Sequence, residues 1–169
     1  MLAIHRKKLG GRYHLIVPAL QGLLRLLFIP YVTNSASLEQ RSAGVFSLGV
    51  THAAAYARLL TMLCSPTVSA VSRSRKHNSR QELNDETKKA RSIAGQHLPY
   101  LIMEFCTYQL KERLLPEAKA VLNPGLYAVL DVMQPEVTRT MNAAMDSASR
   151  SIFKALYEEY RRFSRGKLS

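Results

Sequence analysis

Only two of the 169 residues are cysteine, Cys64 and Cys106, and tryptophan is absent. Two thiols are too few for a disulfide framework or a four-thiolate metal centre, so a reducing compartment is the simpler setting. No Asn-x-Ser/Thr sequon occurs, in keeping with an intracellular protein. Neither a GxxxxGK(S/T) nor a GxGxxG string is present, which leaves nucleotide-driven chemistry without a phosphate cradle. Runs that alternate apolar and polar residues are missing too, and with them the signature of half-buried strands. Acidic residues are scarce, 12 against 24 Lys and Arg, for a formal charge of +12 and a sequence pI of 10.1. That imbalance points to RNA, DNA or an anionic membrane as partner without ranking them.

What is there suits a folded chain. Hydrophobic residues make up 47% and charged residues 21%, the balance of an ordinary globular protein of one domain's length. The N-terminal string MLAIHRKKLGGRYH is basic, and LIVPALQGLLRLLFIPYV after it has about the length of a bilayer span. Gln21 and Arg25 lie in its middle and Pro18 interrupts it. An Arg at a bilayer centre costs on the order of 3 kcal/mol, which disfavours a span. The lack of any acid before Glu39 also fits an organellar presequence.

Apolar residues recur at helical spacing in four places, which predicts an all-α protein. Ile16, Leu20, Leu23 and Leu27 form one stripe; Tyr56, Leu59, Leu60 and Leu63 a second; Leu98, Leu101, Ile102, Phe105 and Tyr108 a third. The longest runs from Val137 through Met141, Met145, Ala148, Ile152, Leu156 and Tyr160 to Phe163. It predicts one long C-terminal helix from about Pro135, with Asp146 and Arg150 as an i,i+4 pair. Ser65-Pro66, Leu115-Pro116, Asn123-Pro124 and Gln134-Pro135 each place a proline where a helix can start, since the amide it lacks is unpaired in the first turn. Closely spaced starts suggest short helical hairpins stacked as an irregular α-solenoid of HEAT or armadillo kind, although no sequence repeat is visible.

The domain so outlined covers 1–169, with a basic N-terminal tail at 1–12, an exposed charged loop at 72–89 and a basic C-terminal tail at 161–169. The loop SRSRKHNSRQELNDETKK is almost without apolar residues. A softer break, TNSASLEQRSAG, lies at 33–44.

Candidate chemistry is thin. Both cysteines fall within apolar helical stretches, where a thiol behaves as a small hydrophobe. His14, His52 and His97 have no second ligand at metal-binding spacing. Asp131 and Asp146 could form a carboxylate pair, but nothing fixes their separation. The sequence therefore singles out no catalytic residue, cofactor, metal or small-molecule substrate. The basic residues are more telling: Arg6, Lys7, Lys8 and Arg12; Arg73, Arg75, Lys76 and Arg80; Arg161, Arg162, Arg165 and Lys167. Clusters in loops and tails suit contact with a phosphate backbone, or else serve as a nuclear address. The candidate RNA contacts are Arg73, Arg75, Lys76, Arg80, Arg161, Arg162, Arg165 and Lys167. Tyr13, Tyr160 and Phe163 beside them fit a base stack or the core.

The string NPGLYAVLDVM at 123–133 reads as a helix start, with Asn123 as N-cap, Pro124 first, and Leu126, Val129, Leu130 and Met133 buried. Gly125 costs that helix about 1 kcal/mol relative to alanine, so a neighbouring helix is expected to approach closely there. Asp131 falls beside the stripe, as a solvent-facing or hydrogen-bonding carboxylate.

Five strings in order, HLIVPALQGLLRLLF, AAAYARLLTMLCSPT, AGQHLPYLIMEFCTYQL, LNPGLYAVLDVM and SIFKALYEEYRRF, resemble the C-terminal domain of the nucleolar pre-ribosome-associated proteins of the Urb/Npa type, over residues 14–165. The resemblance implies a helical, repeat-like scaffold in early large-subunit precursors that supports pre-rRNA processing, with assembly factors and pre-rRNA as partners and the nucleolus as its place. It carries over no catalytic residue; Arg58 to Leu63, Leu98 to Leu101, Gly125 to Tyr127 and Leu156 to Tyr160 match as fold-defining positions. Family members are much longer, which makes this chain a fragment, a truncated gene model or a stand-alone copy. They also tend to close on a Phe-Gly-Lys-Trp-like ending, where this chain has Phe163, Ser164, Arg165, Gly166 and Lys167. The competing readings are a basic organellar or membrane-associated helical protein and a stand-alone RNA-binding module.

Overall fold

The computed structural model describes residues 12–30, 48–65 and 79–166, with side chains at all of these except 29–30 and 79–86. Its first helix, α1 (Tyr13–Arg25), turns Tyr13, Val17, Leu20 and Leu24 inward, the three-to-four-residue spacing of one helical face. Leu23, expected inside, is exposed, and Leu24 takes its place. The helix continues through Pro18, as the stripe across it predicts. A proline removes one backbone bond, and packing of both flanks outweighs that loss. The two-residue strand β1 (Ile29–Pro30) follows.

Helix α2 (Val50–Cys64) buries Ala53, Tyr56, Ala57, Leu60 and Leu63. Next comes α3 (Ser79–His97), then α4 (Pro99–Lys111) with proline in its first turn, and the strand β2 (Glu112–Arg113). Strand β2 pairs antiparallel with β1, Ile29 opposite Arg113, and clips the end of α1 to the end of α4. Helices α5 (Pro116–Val132), α6 (Pro135–Ala144) and α7 (Ser147–Gly166) complete the chain. Apart from this two-residue pairing the described residues form an all-α protein, as the periodicity predicts.

Four expectations need correction. The charged stretch 72–89 is helical from Ser79 onward, as the first turns of α3. Among its described side chains Ala94, near the far end, is fully buried, and the charged first turns carry no apolar period that could reveal the helix. Asn123-Pro124 is not a helix start: α5 begins eight residues earlier, at Pro116. Pro124 and Ala120 both lie on the exposed side, where water can satisfy the carbonyl that the proline leaves unpaired. The long terminal helix is two helices, parted at Met145, whose extended backbone (φ −78°, ψ 143°) ends α6. Asp146 then caps α7. Its Oδ1 accepts the Ser149 N–H and its Oδ2 the Ser149 hydroxyl, each at 2.8 Å. Arg150 makes no ion pair with Asp146; it donates to the Met145 carbonyl at 2.9 Å.

Helix α5 is the centre of the packing, with Leu122, Leu126 and Val129 wholly buried among Leu20, Leu60, Leu98, Leu101 and Phe105. It crosses α2 where a Cβ on Gly125 would lie 2.6 Å from the Ala57 Cα, so the close approach expected there is real. Gly95 of α3 meets α5 more tightly still, since a Cβ would fall 2.0 Å from the Val132 carbonyl oxygen. The main pairings join α2 to α5, α4 to α7 and α1 to α4, each three apart among the described helices. A solenoid stacks each repeat on its neighbour, and the described helices do not show that stacking.

Candidate nucleic-acid interface

In α7, SASRSIFKALYEEYRRFSRG, apolar and charged residues take opposite sides. Phe153 and Leu156 are buried, with Ile152 and Tyr160 partly so. At 100° per residue, Arg150, Lys154, Arg161 and Arg165 fall on the side turned away from Ile152 and Leu156, with Phe153 at its edge. Lys154, Arg161, Arg162 and Arg165 are exposed, and none of them pairs with a carboxylate among the described residues. The two acids of the helix are Glu158, which interrupts the basic face, and Glu159. Glu159 is turned inward, its Oε2 3.4 Å from the Tyr127 hydroxyl and from Asn123 Nδ2. Burial and the neighbouring Glu159 push the Tyr127 phenol pKa up.

Of the candidate RNA contacts, Arg161, Arg162 and Arg165 stand together on the last turns of α7. Arg73, Arg75, Lys76 and Lys167 lie outside the described residues, and Arg80 belongs to the first turn of α3, its side chain undescribed. The aromatics are structural. Tyr13 is buried. The Tyr160 hydroxyl meets Asp131 Oδ1 at 3.3 Å, and Phe163 packs on Tyr127 with ring centroids 5.0 Å apart.

Periodicity alone missed a second feature, an open groove of 520 Å³ between α6 and α7. Thr138 and Asn142 line it from α6, and Arg150, Phe153, Lys154 and Tyr157 from α7. The signal was present in the sequence as cations at 150, 154, 161 and 165 with a tyrosine at 157, all compatible with one helical side. The expected continuous helix hid it, because a groove needs the break at Met145.

The other chemical candidates are absorbed by the fold. Cys64 and Cys106 are buried, and desolvation pushes both thiols up to about 12, so neither forms a thiolate near neutrality. Asp131 Oδ2 accepts Arg91 Nη2 at 2.8 Å, which ties α3, α5 and α7 at one carboxylate. His97 stacks on Tyr13, with His14 6.4 Å away. Among the described residues no three His, Cys, Asp or Glu side chains gather where they could hold a metal ion. No helix among them is long and apolar enough to cross a membrane. Arg25 and Gln21, the polar breaks in the N-terminal apolar string, both reach Glu104 of α4, and Arg25 also lies over the Tyr108 ring at 5.3 Å.

A model of the Urb2/Npa2 family matches residues 1–167. The chain belongs to the Urb2/Npa2 family. This is a nucleolar ribosome-biogenesis family, which places the role of this member in ribosome biogenesis. No solved structure matches this Urb2/Npa2 chain.

Proposed function

We propose that this Urb2/Npa2 chain acts by position rather than by catalysis: a nucleolar docking domain in early large-subunit pre-ribosomal particles that supports pre-rRNA processing. The observation that carries this reading is the two-sided character of α7. One side packs on α4 and α5, and the other presents cations without carboxylate partners among the described residues. Such a face neutralises phosphates and releases counterions, so it holds RNA without reading its sequence. The buried thiols and engaged carboxylates support the absence of an enzymatic role. Other assembly factors are the remaining partners, met through the helical body.

The test is co-sedimentation of a tagged chain with large-subunit precursors at physiological salt, together with sequencing of the RNA that purifies with it. Recovery with precursor particles and pre-rRNA is expected. Its absence from those particles, with the protein folded and nucleolar, removes the assembly role.

A further inference from the structure

We propose that the groove between α6 and α7 is a binding site for a single-stranded RNA segment, with an unpaired base stacked on Tyr157 and the adjoining phosphates on Arg150, Lys154, Arg161 and Arg165. The proposal rests on the reading of α7 as an RNA-facing helix and gives that face a defined ligand.

The groove's composition carries the argument. Phe153, 4% exposed, forms its floor, and Tyr157, 38% exposed, stands at its edge with ring centroids 6.0 Å apart. An aromatic held on one side by the core and open on the other is a platform for a flat base. A base inside a duplex is stacked on its neighbours and cannot reach it, so the ligand is a single strand or loop.

Arg150 is positioned beforehand. One of its nitrogens donates to the Met145 carbonyl at 2.9 Å, which fixes the guanidinium at the start of the groove and leaves donors for a phosphate. Lys154 follows one turn later. Arg161 and Arg165 continue the line beyond Tyr157, so the cations extend over about 22 Å at 1.5 Å per residue.

The hydroxyls add a polar match. Thr138 donates to the Gln134 carbonyl at 3.1 Å and Ser151 to the Ser147 carbonyl at 3.0 Å. With their protons committed, these groove-lining oxygens are left as acceptors, suited to a ribose 2′-hydroxyl or a base amino group. An acidic peptide without aromatic residues offers carboxylates to the cations but no flat ring for Tyr157, and its carboxylates find no donor in Thr138 or Ser151. RNA uses all three parts of the site.

The test measures binding of the 169-residue chain to a fluorescently labelled single-stranded oligoribonucleotide, by anisotropy across a salt series. The same-sequence duplex, a 2′-deoxy strand and polyglutamate serve as comparison ligands. Tyr157→Ala should weaken single-strand binding about 5-fold to 150-fold, the range for loss of one stacked base, while Tyr157→Phe retains it. Lys154→Ala should lower the salt slope by about 0.7, as expected for one phosphate contact on a single strand. The four positions altered, Lys154, Tyr157, Arg161 and Arg165, are all solvent-facing, and unchanged melting curves will show that the variants fold. If Tyr157→Ala binds as well as the parent while Arg161→Glu with Arg165→Glu binds less well, the groove proposal fails and the RNA-facing helix stands. Equal affinity for duplex and single strand, or preference for polyglutamate, also overturns the groove. If the parent binds no RNA at low salt, both the groove and the reading beneath it fail.

Discussion

Helices α5 and α7 are of similar length and lie against each other, yet they answer to different constraints. In α5, Leu122, Gly125, Leu126, Tyr127, Val129 and Leu130 are all buried, so helices press on it from several directions. In α7 the buried residues are Ser149, Phe153 and Leu156, with Ile152 and Tyr160 packed partly against the core, and the opposite side meets solvent or the groove. A residue of α5 is therefore answerable to packing, whereas the outer face of α7 is free to be chosen for charge. Interiors are close-packed and respond to a change of one methyl group, while exposed positions away from caps and pairs tolerate substitution within about 0.5 kcal/mol.

The largest break in that comparison should come from Leu126→Ala. It removes a wholly buried side chain at the middle of α5. A loss of about 2–5 kcal/mol is expected in urea unfolding, because the surrounding helices can collapse only partly into the space. A loss below 1 kcal/mol would show that α5 is not the packing centre.

Gly125→Ala tests the crossing itself. The new methyl would sit 2.6 Å from the Ala57 Cα and 2.9 Å from its carbonyl oxygen, both backbone atoms, so the helices must move apart. Overpacking of this kind costs about 1–3 kcal/mol, set against about 1 kcal/mol that alanine returns to the helix. A net fall in melting temperature is expected. A rise would mean that α2 and α5 stand further apart than described.

A smaller effect, confined to acid, is expected at the start of α7. Hydrogen bonds from the Ser149 N–H and hydroxyl hold the Asp146 carboxyl below its usual pKa. A carboxyl lowered in the folded state stabilises it above the unfolded value of about 3.9, and that contribution is lost as pH falls through the folded value. Melting temperatures of the parent and Asp146→Asn should therefore show a constant difference from pH 5 to 8 that narrows below about pH 4. A difference that instead changes between pH 6 and 8 would assign the cap to another group.

The smallest expected effect on stability belongs to Arg161→Ala with Arg165→Ala. Both side chains are exposed, and no carboxylate among the described residues pairs with either. The melting temperature should not move by more than about 2 °C for a change within 0.5 kcal/mol. A large drop would recast the basic face as part of the fold.

How far these features are legible in the sequence follows from the same contrast. The inward sides of α2 and α4 are readable because Tyr56, Leu60 and Leu63, and Leu98, Leu101, Ile102 and Phe105, repeat at the helical period and are buried. Helix α3 is not readable in its first half, since a stretch with Leu83 as its lone large apolar residue leaves no periodic record, and the buried Ala94 lies fifteen residues beyond Ser79. The division between α6 and α7 escapes for the opposite reason. Met141 and Met145 keep the apolar spacing through a backbone that is not helical at Met145, so the period continues where the helix does not. Of the candidate interface, Arg161, Arg162 and Arg165 stand out as a cluster in the chain. Arg150, Lys154 and Tyr157 do not, because the groove that unites them exists only when α6 folds back beside α7.

The sequence by itself determined the helical class, the apolar side of most helices, the basic character and the family. These depend on local periodicity, on composition and on strings of neighbouring residues. The tertiary structure alone decided which proline begins a helix and which rides inside one, since Pro116 and Pro124 differ in what surrounds them rather than in their own chemistry. It also decided that Gly125 answers to Ala57, and that Asp131 answers to Arg91 and Tyr160. Such pairings join residues tens of positions apart. The close packing of the helices selects them, and no local propensity records that choice.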